Sequence, residues 1–165
     1  MQPKNKNYCI FMEYMSQEGF DKLVNELKHL ESVELPACKD AISEARDKGD
    51  LSENFEYHAA KREQGRLLGR ISFLQKVLEN ARVIDTNRLS SDSVGLLSKV
   101  EMTNLANNSK MTYTIVSPHE ANLREGKISV KSPIAQALLN KKVGGVVEVR
   151  VPAGMVKLRI ESITL

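Results

Sequence analysis

Two runs of heptad-spaced side chains flank a single Gly-Asp step, and that arrangement leaves few folds open. After the step, Tyr57, Ala60, Gln64, Leu67, Ile71, Leu74, Leu78 and Ala81 recur three and four residues apart, a seam with one polar interruption at Gln64. Before it, Phe20, Leu23, Leu27, Leu30, Ala37 and Ala41 keep the same rhythm, broken at Glu34. Pro36 has no amide donor and predicts a kink or local break in this first arm. Ser16 stands where an N-cap belongs, and Glu18 and Asp21 near the helix start suit its dipole. Gly49 can take the left-handed conformation that ends a helix, so the chain reverses at Gly49-Asp50. The spacing predicts an antiparallel α-helical coiled-coil hairpin over residues 16–81, with arms of roughly thirty residues, or about 45 Å. Its seam is leucine-rich far from the turn and alanine-rich near it, so the rod should thin toward its tip.

The reversal places two carboxylates, Asp50 and Glu53, at the end of that rod. Asp50-Leu51-Ser52-Glu53 also fits a capping box, in which an N-cap side chain and an acid three residues later satisfy free helix amides. Glu44, Asp47 and Glu56 add further negative charge, whereas a cap needs one carboxylate and not a cluster. On spacing alone both readings stand: a helix cap, and an acid pair delivered into a partner's recess. Arg62, Arg66 and Arg70 recur every four residues on the side away from the seam, with Glu63 three before Arg66. They read either as a solvated helix face or as contacts for an anionic partner.

The remainder of the chain changes period. The polar stretch from Thr86 to Ser93 reads as a linker, giving an N-terminal extension over 1–15, the hairpin over 16–81, a linker over 82–93 and a second domain over 94–165. Val100–Leu105 and Met111–Val116 read as strands around an Asn107-Asn108 turn, and Val146–Val151 and Met155–Ile163 as strands around Pro152-Ala153-Gly154. Ser132-Pro133 opens a short helix running through Leu139. The fold class is therefore α+β: a helical hairpin followed by a small sheet with one short helix. Residues 16–81 carry ten Lys or Arg against thirteen Asp or Glu, and residues 82–165 twelve against seven. With the first fifteen residues, which add one positive charge, the chain totals +3. That bias is too weak for a dedicated duplex-binding protein.

Two separated stretches carry a family resemblance. Glu44-Ala45-Arg46, through Gly49-Asp50-Leu51-Ser52-Glu53-Asn54, to Glu56-Tyr57-His58-Ala59-Ala60-Lys61 resembles the tip of the bacterial Gre transcript cleavage factors, of the GreA type. Gly126-Lys127-Ile128-Ser129-Val130-Lys131-Ser132-Pro133-Ile134-Ala135, followed by Ala137-Leu138-Leu139, resembles that family's C-terminal signature. The resemblance spans about Glu13 to Leu165. It implies an FKBP-like second domain that docks on RNA polymerase, with Ser132 and Pro133 in the docking segment or, equally, only capping a helix. It implies a hairpin inserted through the polymerase secondary channel toward the 3′ end of the nascent RNA. It further implies that Asp50 and Glu53 help position a magnesium ion held jointly with the polymerase and not bound tightly by this chain alone. Arg46 and Lys61 match a basic spot that faces the transcript. The chain would then be no enzyme by itself but an accessory factor, monomeric and bacterial cytoplasmic, that stimulates cleavage of backtracked RNA.

Alternatives remain. A channel-plugging regulator that does not cleave is the nearer one, and the Asp50–Glu53 pair argues against it. Prolyl isomerase activity needs an aromatic-lined apolar pocket; there is no Trp, and Tyr113 is the only aromatic residue beyond residue 81. Phe55 departs from the family pattern, where alanine is usual; its bulky ring either alters the tip packing or the fit against the polymerase, or is simply buried at the hairpin's end. Asn140 replaces a common glycine and can tolerate the same left-handed cap, and Gly145 stands where an aspartate is frequent. Residues 1–11 match no part of the family, and Met12 and Met15 are alternative starts. The apolar stretch Tyr8–Met12 is too short for a signal peptide or membrane span. Cys9 and Cys38 suggest reduced thiols, and two cysteines with three scattered histidines offer no zinc site.

Overall fold

The first helix begins where the sequence places it. In a computed structural model describing residues 13–49, 53–86, 89–152 and 154–165, the Ser16 hydroxyl oxygen accepts the amide of Gly19 at 2.9 Å and opens α1 (Gln17–His29). Glu120 supports this cap, its carboxylate accepting from the Ser16 amide at 3.2 Å, from the Ser16 hydroxyl, and from the Ser117 hydroxyl at 2.8 Å. A carboxylate at a helix N-terminus meets free amides and the positive end of the dipole. Nothing local in the sequence marked Glu120 for this role, because the pairing spans more than a hundred residues.

The first arm holds a one-residue irregularity that changes which residues form the seam. Residues Leu30–Glu34 form a π-helical turn, closed by the Leu35 amide donating to the Leu30 carbonyl, and α2 (Leu35–Asp47) follows with Pro36 in its first turn. The expected break thus lies just before the proline, where a missing donor does no harm. An i→i+5 turn inserts one extra residue into the helical repeat. The expected seam positions Ala37 and Ala41 are accordingly exposed, while Cys38 and Ala45 are buried and Ile42 half-buried. Glu34 broke the heptad because the seam steps over it to Leu35. On the returning helix, α3 (Phe55–Asn80), the buried residues are Leu67, Ile71, Leu74 and Val77, with Leu78 only partly covered. The Cys38 thiol lies 3.5 Å from the Ala60 carbonyl, one of the contacts between the facing helices.

If the π-turn is an accommodated insertion, removing one residue from it should be mild. Deletion of Val33, which is half exposed, is expected to restore a plain α-helix with the same seam and to shift the melting temperature by only a few degrees. Deletion of Ser43, in the regular part of α2, slips the seam on its C-terminal side and should lower it several times more. Equal losses from the two deletions, read by thermal circular dichroism, would contradict this account of the register.

Two short strands, β1 (Glu13–Met15) and β2 (Ala81–Val83), pair as a ribbon. The second compact unit, which takes in residues 14–19 and 83–165, is built on five strands: β3 (Lys99–Asn104), β4 (Lys110–Val116), β5 (Lys127–Ser129), β6 (Val146–Val151) and β7 (Gly154–Thr164). Their order is β5-β4-β3-β7-β6, antiparallel except for the parallel pair β4–β5. Four strands and the short helix α4 (Pro133–Leu138) match the sequence reading to within a residue or two. Strand β5, three residues inside the signature stretch, was not anticipated. Gly126, at φ +69 and with the Thr112 carbonyl 3.2 Å from where a Cβ would stand, makes the sharp entry into it. Asn140, at φ +62, takes the left-handed cap expected of it. Ala153, in the expected β6–β7 turn, lies outside the described residues.

Strand alternation builds the core. Val147 and Val149 of β6 point inward between exposed neighbours, and Leu158 and Ile160 of β7 point inward on either side of the exposed Arg159. The next inward residue is Ile163 and not Ser162, because the register against β3 skips Glu161, pairing Glu101 with Ser162 and Met102 with Ile160. A bulge there turns the alternation by one residue and lets both ends of a long strand face one core. With Val100, Met102, Ile115, Ile128, Ala135 and Leu138, these side chains form a continuous buried cluster.

Candidate functional site

At the hairpin tip the geometry assigns the cap to a residue that the spacing argument did not single out. Helix α3 starts at Phe55, and its N-cap is Asn54, whose Oδ1 accepts the Tyr57 amide at 3.0 Å. The Asn54 Nδ2 donates to the Ala45 carbonyl at 2.6 Å, so one side chain closes the start of α3 and the end of α2 together. Ala45 also receives the Lys48 amide at 3.3 Å before Gly49, at φ +136, turns the chain out of the helix. The capping-box reading of Asp50 and Glu53 is thereby corrected for Glu53, which precedes the cap and is not the third residue of the helix. Asp50 lies outside the described residues. A polar residue three before an amide that needs a partner was the available signal; Asn54-Phe55-Glu56-Tyr57 carries it.

Freed from capping, Glu53 is exposed, and no hydrogen bond or ion pair ties its carboxylate to another described residue. Glu56 is differently placed. Its carboxylate accepts from the Lys48 ammonium at 2.7 Å, and that hydrogen bond, reinforced by the Glu56 charge, holds the Lys48 ammonium above its ordinary range. Both partners are open to solvent, so the pair adds little stability. It does neutralise one of the tip acids. Lys48, Gly49, Glu53, Asn54, Phe55 and Glu56 line a shallow hollow. Phe55 is 88% exposed, which removes the reading of burial and leaves the one in which the ring bears on the tip's outer surface.

Of the two basic residues implied by the resemblance, Arg46 is exposed in the last turn of α2, where a cation suits the helix dipole. Lys61 is exposed early in α3 and donates to Gln64 at 2.9 Å. The arginine row resolves differently. Arg66 grips Glu63 with two hydrogen bonds of 2.9 and 2.6 Å, and Arg70 reaches across the hairpin to Glu26 at 2.7 Å while lying 5.6 Å above the Phe73 ring. Both therefore have carboxylate partners within the hairpin, Arg66 in its own helix and Arg70 on the opposite arm. They belong to the hairpin's own surface.

On the sheet domain, the Ser132 hydroxyl oxygen accepts the Ala135 amide at 3.2 Å and caps α4, with Pro133 exposed as its first residue. Ser132 also borders a hollow lined by Ala121, Leu123, Arg124, Lys127, Ile128 and Ser129, beside a strongly exposed Leu123. Lys127 bonds Glu125 at 2.9 Å; that bond, and then the charges of Glu125, Glu18 and Glu120, raise its pKa. Among the described residues no group of three or more His, Cys, Asp or Glu gathers to hold a metal ion, and no helix is long and apolar enough to cross a membrane.

Replacing Asn54 with Ala removes the α3 cap and the tie to Ala45 at once. A stability loss of about 1–2 kcal/mol is expected from lost capping, measurable by denaturant unfolding, whereas Asn54→Asp, which retains the acceptor only, should recover part of it.

A two-helix hairpin with an exposed carboxylate past its turn, followed by a small mixed-sheet domain, defines a two-unit α+β class of protein. Comparison gives the family. Residues 13–83 match the N-terminal domain of the GreA/GreB transcription elongation factors, and residues 89–165 match their C-terminal domain. The transcription elongation factor GreA of Christiangramia forsetii is 50% identical over 152 residues, covering 92% of this chain and 96% of that protein. GreA of Flavobacterium johnsoniae is 48% identical over 153 residues, covering 93% and 97%. Among solved structures, GreA factor homolog 1 (Gfh1) of Thermus thermophilus is 28% identical, covering 93% of this chain and 99% of that one, at a TM-score of 0.43. The chain belongs to the GreA/GreB family of transcription elongation factors.

Proposed function

We propose that this protein binds RNA polymerase through its sheet domain and presents the hairpin tip at the polymerase active centre, where it stimulates cleavage of backtracked nascent RNA. The observation that carries the reading is Glu53: an exposed carboxylate at the tip whose capping duty has passed to Asn54 and whose oxygens bond to no other described residue. Asp50, three residues earlier, is the second acid. Magnesium favours hard oxygen ligands and keeps several waters, so one or two carboxylates suffice when a host site supplies the rest. The donor set at this tip fits such a shared site and is too small for an independent one. A magnesium ion held there would supply charge stabilisation and activation of water for phosphodiester hydrolysis.

The chain's own part is placement. Asn54 fixes the direction in which Glu53 leaves the turn, by holding both helix ends. The Lys48–Glu56 pair removes one competing carboxylate from the approach. Arg46 and Lys61, on opposite arms and exposed, offer cations to the phosphates of the RNA 3′ segment. Ser132 and Pro133, with the neighbouring hollow, present the docking face.

The test is restart of arrested transcription. Elongation complexes of the cognate polymerase, driven into a backtracked arrest, are expected to resume synthesis in magnesium only when this protein is added. Binding without restart would favour the channel-plugging regulator instead.

A further inference from the structure

We infer that Phe55 is a stacking platform for a base of the displaced RNA 3′ segment, an inference that rests on the proposed action of the tip. The ring is 88% exposed on the first residue of α3, beside Glu53 in the same hollow. An exposed phenyl ring that serves no core contact leaves its faces free, and base–aromatic stacking is the sequence-tolerant way in which proteins hold single-stranded nucleic acid. Its surroundings favour a base over an apolar protein wall. Among the described residues, the hollow's other side chains are Lys48, Glu53, Asn54 and Glu56, three of them charged, so within that set the ring is the one apolar side chain. Protein interface cores are depleted of charge at their centres; a single aromatic among ions is better matched by a planar, polar-edged base. The side chain is also anchored at its base, because the residue before it is locked by two hydrogen bonds. A stacked nucleotide would be held next to the carboxylate that acts on its phosphodiester link, which ties stacking to cleavage and not to docking alone.

The experiment uses backtracked complexes of the cognate polymerase, saturated with factor, and compares the wild type with Phe55→Ala, Phe55→Leu, Phe55→Tyr and Phe55→Trp. The displaced 3′ nucleotides carry either normal bases or abasic ribose. Alanine and leucine are expected to slow cleavage on the order of tenfold, tyrosine and tryptophan to retain it, and the difference to vanish on abasic RNA. Melting curves should be unchanged, the ring having no cover to lose. Full activity of Phe55→Leu would place the ring against an apolar wall and overturn the inference. So would a defect that persists on abasic RNA or disappears at saturating factor. If the wild type cleaves and Phe55→Ala matches it, this inference alone falls; if the wild type does not cleave, the underlying reading falls with it.

Discussion

Glu53→Gln should bind RNA polymerase as the wild type does and lose at least about a hundredfold of the stimulated cleavage rate, the scale on which loss of one group stabilising transition-state charge is felt. The substitution keeps size and one acceptor oxygen while removing the negative charge and turning the second oxygen into an NH2 donor. Among the described residues Glu53 has no hydrogen-bond or ion-pair partner for the change to remove. Asn54 continues to cap α3 and hold Ala45, and the melting temperature should stay within about a degree. A carboxamide oxygen is a weaker ligand for a hard cation, so part of the loss should be recovered by raising magnesium, and Glu53→Ala should recover less. Asp50→Asn is expected to behave in the same way. Rates at saturating factor, across a magnesium series, separate this from weakened docking: a variant impaired only in binding would regain full rate as factor is added.

The second large effect is on stability. Leu74 is completely buried in the hairpin seam, between Ile71 and Val77 on the same helix face. Leu74→Ala is expected to destabilise the hairpin by about 2–5 kcal/mol, the range for removing a buried leucine and leaving a cavity. The exposed Leu68, one helix face away, provides the control, and Leu68→Ala should cost less than about 0.5 kcal/mol. Denaturant unfolding followed by helical circular dichroism measures both. Because the hairpin sets the position of Glu53, Leu74→Ala should also reduce cleavage near its melting range while leaving it close to normal at low temperature.

Much of this architecture was legible because it is local. Ser16 and Ser132 cap helices three residues before the amides they accept, and the period-two runs that became strands each have one antiparallel partner close in sequence. What escaped depends on distant pairing or on irregular turns. The heptad break at Glu34 was visible, but its resolution through an i→i+5 turn, which moved burial from Ala37 and Ala41 to Cys38 and Ala45, is decided by the facing helix. Arg70 finds Glu26 forty-four residues away, and Glu120 reaches the start of α1 from the far side of the chain. The inward turn of Ile163 follows a bulge set by β3.

The tip divides in the same manner. Its acids and its reversal at Gly49 stood in the sequence, and a capping box offered them a bland role. Only the observed start of α3 at Phe55 gave the cap to Asn54, released Glu53 and exposed the ring. Arg66 and Arg70, which the four-residue spacing left available to a partner, are engaged within the hairpin, whereas Arg46 and Lys61 remain exposed near its end.

The most direct measurement follows the RNA itself. Backtracked complexes of the cognate polymerase carrying a label at the RNA 3′ terminus are mixed with magnesium and saturating protein, wild type or Glu53→Gln. The account predicts rapid release of a short labelled fragment with the wild type, and release no faster than the polymerase alone with the variant at equal occupancy. Equal release by the two proteins, or occupancy by the wild type without any labelled fragment, would contradict it.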